Sequence, residues 1–377
     1  AAGAAKRAEI LCACGDQIAA TRFESIALLC EEGKKAISEA DTEISEAIDF
    51  CRYYAETGID PQGMHAEPLG TVVVTPPWNF PFAIPCGGVV GALMAGNTVI
   101  LKPASKSARI GWWLAQQLWE GGIPKEVLHF ALPSDRDAGR ALIDDDRTDA
   151  VILTGAYETA RMFQSWRPSL KLFAETSGKN ALVISSLADT ELAAKDLIKS
   201  AFSHSGQKCS AASLGILEAE VYDDPVFRRQ LRDAAASLRV GSANDPASIV
   251  TPVILEPDEK LKRALTRLEE GEEWLLEPKV SEADPLLWSP GIKLGVKRGS
   301  WFHMNECFGP ILGLMRASDL DEAVALQNDV DYGLTAGIHS LDEMEIAQWK
   351  SKVQAGNLYI NRGITGAIVQ RQPFGGW

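Results

Sequence analysis

The chain has 377 residues, with 51 acidic against 37 basic side chains and a formal charge of −14. At roughly 150 residues per domain this length gives two or three domains and a sizeable core, and a composition 46% hydrophobic and 23% charged excludes a collagen-like or low-complexity chain. The acidic balance speaks against a nucleic-acid binder or a partner of anionic membranes, since both need concentrated Lys and Arg.

The first residues, 1–9, show no charged leader followed by an apolar core, so no signal peptide is read there. Seven cysteines (Cys12, Cys14, Cys30, Cys51, Cys86, Cys209, Cys307) form no C-x-x-C pair and are odd in number. That pattern fits a reducing cytosol, or a mitochondrial matrix, better than a disulfide framework. Cys12 and Cys14 flank one alanine in a helical stretch, a spacing that does not offer two ligands on one face, and no metal is expected.

From Thr71 to Leu101 no residue is charged. Pro76, Pro77, Pro81 and Pro85 forbid a continuous membrane helix, and Gly96-Asn97 marks a turn. The stretch therefore divides into a β-branched strand Thr71–Thr75, a Gly/Ala-rich helix Ile84–Ala95 and a strand Thr98–Leu101, a parallel unit buried on both faces. Within the helix, Gly87-Gly88-Val89-Val90-Gly91 suits close helix packing better than phosphate binding, and no G-x-G-x-x-G follows any early strand.

The alternation continues. A helix carrying Trp112, Trp113, Leu114 and Leu118 precedes a strand at Val127–Leu132. A polar helix follows over Asp135–Ile143, then the strand Ala150–Gly155, a short helix and a strand at Leu170–Phe173. This predicts a doubly wound sheet whose ligand crevice lies beyond the carboxyl ends of its strands. A second α/β series begins after Ser185, with a helix from Leu192 to about Ser203, a strand Ala212–Leu217 and charged helices between Pro225 and Glu270. Further strands are read at Ile311–Met315, Ala336–Ile338 and Asn357–Ile360. Glu269-Glu270-Gly271-Glu272-Glu273 reads as a solvated turn.

Three residues at strand or helix boundaries could carry chemistry. Cys209 lies in a polar turn after a helix, although a lone cysteine is more often a small buried hydrophobe. Glu175 directly follows a buried strand, where a capping or surface carboxylate is the plainer reading. Asn79 follows the first strand, where Asn is usually a turn residue. Together they fit one reaction, in which a thiolate adds to a carbonyl, an amide steadies the oxyanion and a carboxylate activates water against the thioester.

Seven stretches carry a resemblance to a known family. They are Pro77-Trp78-Asn79-Phe80-Pro81, Leu101-Lys102-Pro103-Ala104-Ser105, Leu153-Thr154-Gly155, Glu175-Thr176-Ser177-Gly178-Lys179-Asn180, Gly206-Gln207-Lys208-Cys209, Glu306-Cys307-Phe308-Gly309-Pro310 and Pro373-Phe374-Gly375-Gly376. In this order they resemble the aldehyde dehydrogenase superfamily, from about residue 30 to the last residue. The segments Ala174–Ala181 and Asn361–Gly376 look like the 1-pyrroline-5-carboxylate (L-glutamate γ-semialdehyde) dehydrogenases, which occur free-standing and within bifunctional proline utilization A proteins.

The resemblance implies a Rossmann-type doubly wound NAD-binding domain with N-terminal helices (1–174), an α/β catalytic domain (175–361) and a substrate-anchoring loop (362–377), shorter at both ends than the family's full fold. It implies Cys209 as nucleophile, Glu175 as base for thioester hydrolysis, and Asn79 with the Cys209 N–H as oxyanion hole. NAD would be held by Thr75, Pro76, Trp78, Lys102, Ser105, Gly155, Ala156, Glu306 and Phe308. Ser210, Gly366 and Ala367 would bind the substrate carboxylate, with Phe80 and Phe374 flanking its chain. It further implies a small-molecule substrate, a proline dehydrogenase (FAD) partner, covalent or functional, and a homo-oligomer in the full-length form. The segment Thr57–His65 is short for the family's subunit-contact hairpin. The competing readings are a dehydrogenase of another aldehyde on the same fold and a non-catalytic domain of this fold.

Overall fold

The computed structural model describes residues 2–58 and 67–376; most of the short connection noted above lies outside them. The chain divides into two compact units, Ala1–Thr176 with Ile368–Gln372, and Ser177–Ala367 with Pro373–Trp377. Among the described residues no helix is long and apolar enough to cross a membrane.

The first unit opens with three helices, α1 (Ala4–Ala20), α2 (Arg22–Glu31) and α3 (Ile37–Thr57). It continues through β1 (Thr71–Thr75), α4 (Ala83–Met94), β2 (Thr98–Leu101), α5 (Ala108–Glu120), β3 (Leu128–Phe130), α6 (Arg136–Asp144), β4 (Ala150–Gly155), α7 (Tyr157–Trp166) and β5 (Leu172–Thr176). The strands form one parallel sheet in the order β3-β2-β1-β4-β5. Strand order reverses between β1 and β4, which sets a crevice at their carboxyl ends. In α3 the buried residues Ala40, Ile44, Ala47, Ile48, Cys51 and Ala55 recur at helical spacing. The glycines of α4 meet that helix, for a Cβ on Gly87 would lie 3.1 Å from the Phe50 ring and one on Gly91 3.2 Å from that of Tyr54. Their reading as packing residues therefore holds.

One strand differs from expectation. β5 runs over Leu172–Thr176 rather than ending at Phe173, and it is an edge strand with Phe173 53% exposed. Glu175 thus lies inside a partly exposed strand, not after a buried one. The strand pairs with β4 through Thr154↔Glu175 and Gly155↔Thr176, so ladder hydrogen bonds carry it past the apolar residues. The first compact unit ends with this strand, at Thr176.

The second unit comprises β6 (Asn180–Ile184), α8 (Thr190–Phe202), β7 (Ala212–Glu218), α9 (Ala219–Asp223), α10 (Pro225–Ala236), α11 (Glu259–Thr266), β8 (Glu273–Leu276), β9 (Gly291–Leu294), α12 (Trp301–Met304), β10 (Ile311–Ala317), α13 (Leu320–Asn328), β11 (Thr335–His339), α14 (Glu343–Lys352) and β12 (Asn357–Ile360). Its seven-stranded sheet has the order β12-β11-β6-β7-β10-β9-β8, parallel except for the β8–β9 pair. β8 and β9 carry few β-branched residues and were not expected. Part of the acidic excess is local helix chemistry, since Asp135, Asp189, Asp224, Asp258, Asp319 and Asp342 each cap a helix N-terminus by accepting a main-chain N–H.

The acidic run before β8 also departs from its expected role. Glu272 is not solvated. Its carboxylate lies 2.8 Å from the Lys293 ammonium, with both side chains 1% exposed, because β9 carries that lysine inward beside it.

Candidate active site

In the first unit the candidate residues collect at the carboxyl ends of the sheet. Thr75 closes β1 and its hydroxyl donates to the Ile152 carbonyl at 3.2 Å. Lys102 follows β2, tied through its N–H to the Val74 carbonyl at 2.9 Å, and burial holds its ammonium below the usual lysine range. Ser105 opens the short turn Ser105–Ser107. Gly155 closes β4, and Ala156, the N-cap of α7, supplies no side-chain acceptor. The N-terminal amides of a ten-residue helix at a switch point suit the pyrophosphate of a dinucleotide. The crevice at this end of the sheet thus offers a place for NAD. Pro76, Trp78, Asn79 and Phe80 form the loop from β1 to α4, with Asn79 only 5% exposed, and Glu175 stands on β5.

In the second unit Cys209 follows a tightly wound turn. His204, Ser205 and Gly206 all adopt left-handed φ, of 50°, 53° and 69°, a run that L-residues adopt only when the surroundings fix it. The Ser205 hydroxyl donates to the Thr251 carbonyl at 2.6 Å and accepts the Thr251 N–H at 3.1 Å. Gln207 accepts the Ile254 N–H at 3.0 Å.

The Cys209 carbonyl accepts the Asn180 side-chain amide at 2.6 Å. The same amide donates to the Ala211 carbonyl at 3.0 Å, and its oxygen accepts the Thr335 N–H at 3.0 Å. A Cβ on Gly178 would fall 2.3 Å from the Cys209 carbonyl oxygen, so that motif position requires glycine.

Thiol accessibility separates Cys209 from most of the others. Cys14, Cys30, Cys51, Cys86 and Cys307 are buried, Cys209 is partly exposed, and Cys12 is exposed within α1. Burial raises the thiols of Cys14, Cys30 and Cys307 above their ordinary range, and the neighbouring Cys51 together with burial raises Cys86. A thiol held protonated is a poor nucleophile.

Glu306 accepts the Gly178 N–H at 2.8 Å, which brings the Gly178 and Glu306 motifs to one place. Phe308 takes a left-handed φ of 55° just beyond. Gly178, Cys209 and Glu306 precede β6, β7 and β10, so these three candidates lie at the amino ends of their strands. Sequence reasoning looked instead to the loops after strands, a rule for open nucleotide-binding sheets that applies to the first unit.

Ser210 is buried, and its carbonyl accepts the Thr335 hydroxyl at 3.4 Å. The loop bearing Gly366 and Ala367 is moored at its start. Asn361 accepts the Ser340 N–H at 3.0 Å and donates to the Ser340 carbonyl at 2.9 Å, and Ile364, fully buried, donates its N–H to the Ser200 hydroxyl at 3.1 Å. Gly366 has φ +78°, with nothing within 4 Å of where a Cβ would stand. Phe374 is 41% exposed, next to Gly375, whose carbonyl accepts the Asn357 amide at 2.9 Å. Asn361 and Ser200 were not singled out as supports of this loop, because their partners are remote in sequence.

The chain belongs to the aldehyde dehydrogenase family, whose model matches residues 1–377. It is 34% identical to the 1-pyrroline-5-carboxylate dehydrogenase of Geobacillus sp. (strain WCH70), over 98% of this chain and 76% of that protein. Among solved structures it is similar to proline utilization A from Corynebacterium freiburgense, at 48% identity and a TM-score of 0.97, covering all of this chain and 39% of that one. It is likewise similar to a 1-pyrroline-5-carboxylate dehydrogenase from Thermus with bound NAD, at 31% identity and a TM-score of 0.92, covering 100% of this chain and 77% of that one.

Proposed function

We propose that this chain catalyses the NAD+-dependent oxidation of L-glutamate γ-semialdehyde, the open form of 1-pyrroline-5-carboxylate, to L-glutamate, a step of proline catabolism. The observation that carries the reading is the partly exposed Cys209, held in a strained, hydrogen-bonded turn within a family of aldehyde dehydrogenases. The names and similarity of the relatives support the substrate.

Cys209 adds through sulfur to the aldehyde carbon, and the oxygen, now anionic, is met by the Asn79 side-chain amide and the Cys209 N–H. NAD+, when bound, would supply the hydride acceptor for that carbon, so that the adduct on Cys209 would become a thioester. Glu175 takes a proton from water as it attacks the thioester, which releases the new carboxylate and restores the thiol. Thr75, Pro76, Trp78, Lys102, Ser105, Gly155, Ala156, Glu306 and Phe308 hold the dinucleotide. The Ser210 hydroxyl and the main-chain N–H groups of Gly366 and Ala367 hold the substrate α-carboxylate, with Phe80 and Phe374 along its aliphatic chain. The cytoplasm is the compartment, a proline dehydrogenase carrying FAD is the functional or covalent partner, and the full-length form is a homo-oligomer.

The test is NADH formation from glutamate semialdehyde with Cys209→Ala as control. Activity abolished by that substitution supports the reading, and no activity, or activity that survives it, overturns it. Substrates of the same length lacking the α-carboxylate should turn over poorly.

A further inference from the structure

A charged pair sealed from solvent is no more stabilising than a well-packed apolar pair, so its presence asks what else it does. In the first unit Lys35 and Glu43 form such a pair, Nζ to Oε2 at 2.5 Å, with both side chains 0% exposed. Lys35 lies between α2 and α3, and Glu43 lies on α3.

The other side-chain bonds of the pair land on the loop from β1 to α4 and on the first residue of that helix. Lys35 donates to the Asn79 carbonyl at 2.9 Å, and its Nζ stands 3.6 Å from the centre of the Phe80 ring. Glu43 accepts the Phe82 N–H at 2.8 Å and the Ala83 N–H at 3.1 Å. Phe82 is the N-cap of α4 and has no side-chain acceptor of its own. Glu43 supplies the missing cap from another helix.

One cation and one anion thus grip the main chain on both sides of Phe80-Pro81. Fixing the Asn79 carbonyl fixes the peptide plane that follows it, and with it the direction in which the Asn79 side chain leaves the backbone. An apolar pair could fill the same space but could not hold a carbonyl, two N–H groups and an aromatic face in one orientation.

We propose that Lys35 and Glu43 are positioning residues for oxyanion stabilisation, the ion pair setting the Asn79 amide in its working orientation. The inference rests on the reading of Asn79 as oxyanion donor. The pair touches neither substrate nor cofactor in this role. Its effect passes through the loop.

The experiment is a double-mutant cycle on the full chain. Breaking a buried pair by removing one partner is strongly destabilising, so the pair is replaced jointly, Lys35→Met with Glu43→Gln, which retains an acceptor for the two N–H groups. The expected result is an unchanged KM for NAD+ with kcat for the semialdehyde lowered by about ten- to a hundredfold, short of the roughly 10²–10³-fold loss of a whole oxyanion donor. In an Asn79→Ala background the joint replacement should lower kcat no further, because there is no donor left to aim.

Wild-type kcat in the joint variant overturns the proposal. So does an equal further loss in the Asn79→Ala background, which leaves Asn79 as the donor but removes the positioning role. An Asn79→Ala variant with wild-type kcat overturns the oxyanion reading itself, and the positioning role with it. Should the joint variant fail to fold, Lys35→Arg keeps the charge and the pairing while displacing the donor from the Asn79 carbonyl, and the same cycle decides with it.

Discussion

The side-chain amide of Asn180 holds the main-chain carbonyl of Cys209 at 2.6 Å and that of Ala211 at 3.0 Å. Two carbonyls on either side of Ser210 are thereby fixed to one residue at the start of β6. The backbone of the proposed nucleophile is thus tied to the amino end of a central strand rather than lying in a free loop.

Asn180→Ala should therefore affect stability and rate together. It leaves two carbonyls and the Thr335 N–H without their partner, at about 1–3 kcal/mol for a buried group left unpaired. We expect a loss of about 2–4 kcal/mol in urea unfolding of the second unit and a kcat lowered more than tenfold. An active variant with unchanged unfolding would show that the turn holds itself.

Glu175→Gln should separate the two halves of the reaction. The amide cannot take a proton from water, so hydride transfer proceeds once and the thioester persists. The expected outcome is a burst of NADH equal to the enzyme present, followed by a steady rate lowered about 10²–10⁴-fold, with the acyl adduct on Cys209 seen by mass spectrometry. A variant without burst or adduct would place Glu175 before hydride transfer.

Ser210→Ala should alter selectivity more than chemistry. Losing a hydroxyl to a charged carboxylate costs about 1.5–3 kcal/mol, or roughly ten- to a hundredfold in kcat/KM for the semialdehyde. The same substitution should leave kcat/KM for an aliphatic aldehyde without a carboxylate within about twofold. Equal losses on both substrates would remove Ser210 from carboxylate binding.

His303 predicts the acid limb of stability. It is fully buried; Nδ1 accepts the Gly299 N–H at 2.9 Å and Nε2 lies 3.0 Å from the Leu326 carbonyl, which together require the neutral ring with its proton on Nε2. Burial lowers its pKa from the ordinary 6.5. The unfolded chain therefore takes up a proton that the folded one refuses. Stability is whole above about pH 6.5 and drains as pH falls from there toward the lower folded value. His339 is shifted the same way, mainly by burial. His303→Gln should flatten, without abolishing, the loss of stability between about pH 7 and 5 in urea unfolding; an unchanged slope would remove His303 as a cause.

The parts of the fold legible in the sequence are those where one residue type decides. Val72-Val73-Val74 reads as a buried strand between proline and glycine punctuation and is one, the strand Thr98–Leu101 is found but buries only Val99 and Leu101 fully, and the α4 glycines announced a close helix neighbour. Glu43 and Glu272 were illegible for a common reason. Each sits among other acidic residues on what reads as a solvated surface, and each is buried because a lysine arrives from another element. The motifs of the site could be read as words, but the bonds that give them shape, Asn180 to Cys209 and Ser200 to Ile364, join residues whose proximity only the sheet and helix packing create.

The Thr335 N–H that Asn180 accepts lies 155 residues further along the chain. During synthesis the segment around Cys209 is made long before that partner exists, and β6 cannot be flanked by β11 until residues 335–339 have followed. Closing so long a loop is a late and slow event. A nascent or stalled chain that ends before residue 335 therefore presents Cys209 without the Thr335–Asn180 bond that completes the frame around its carbonyl.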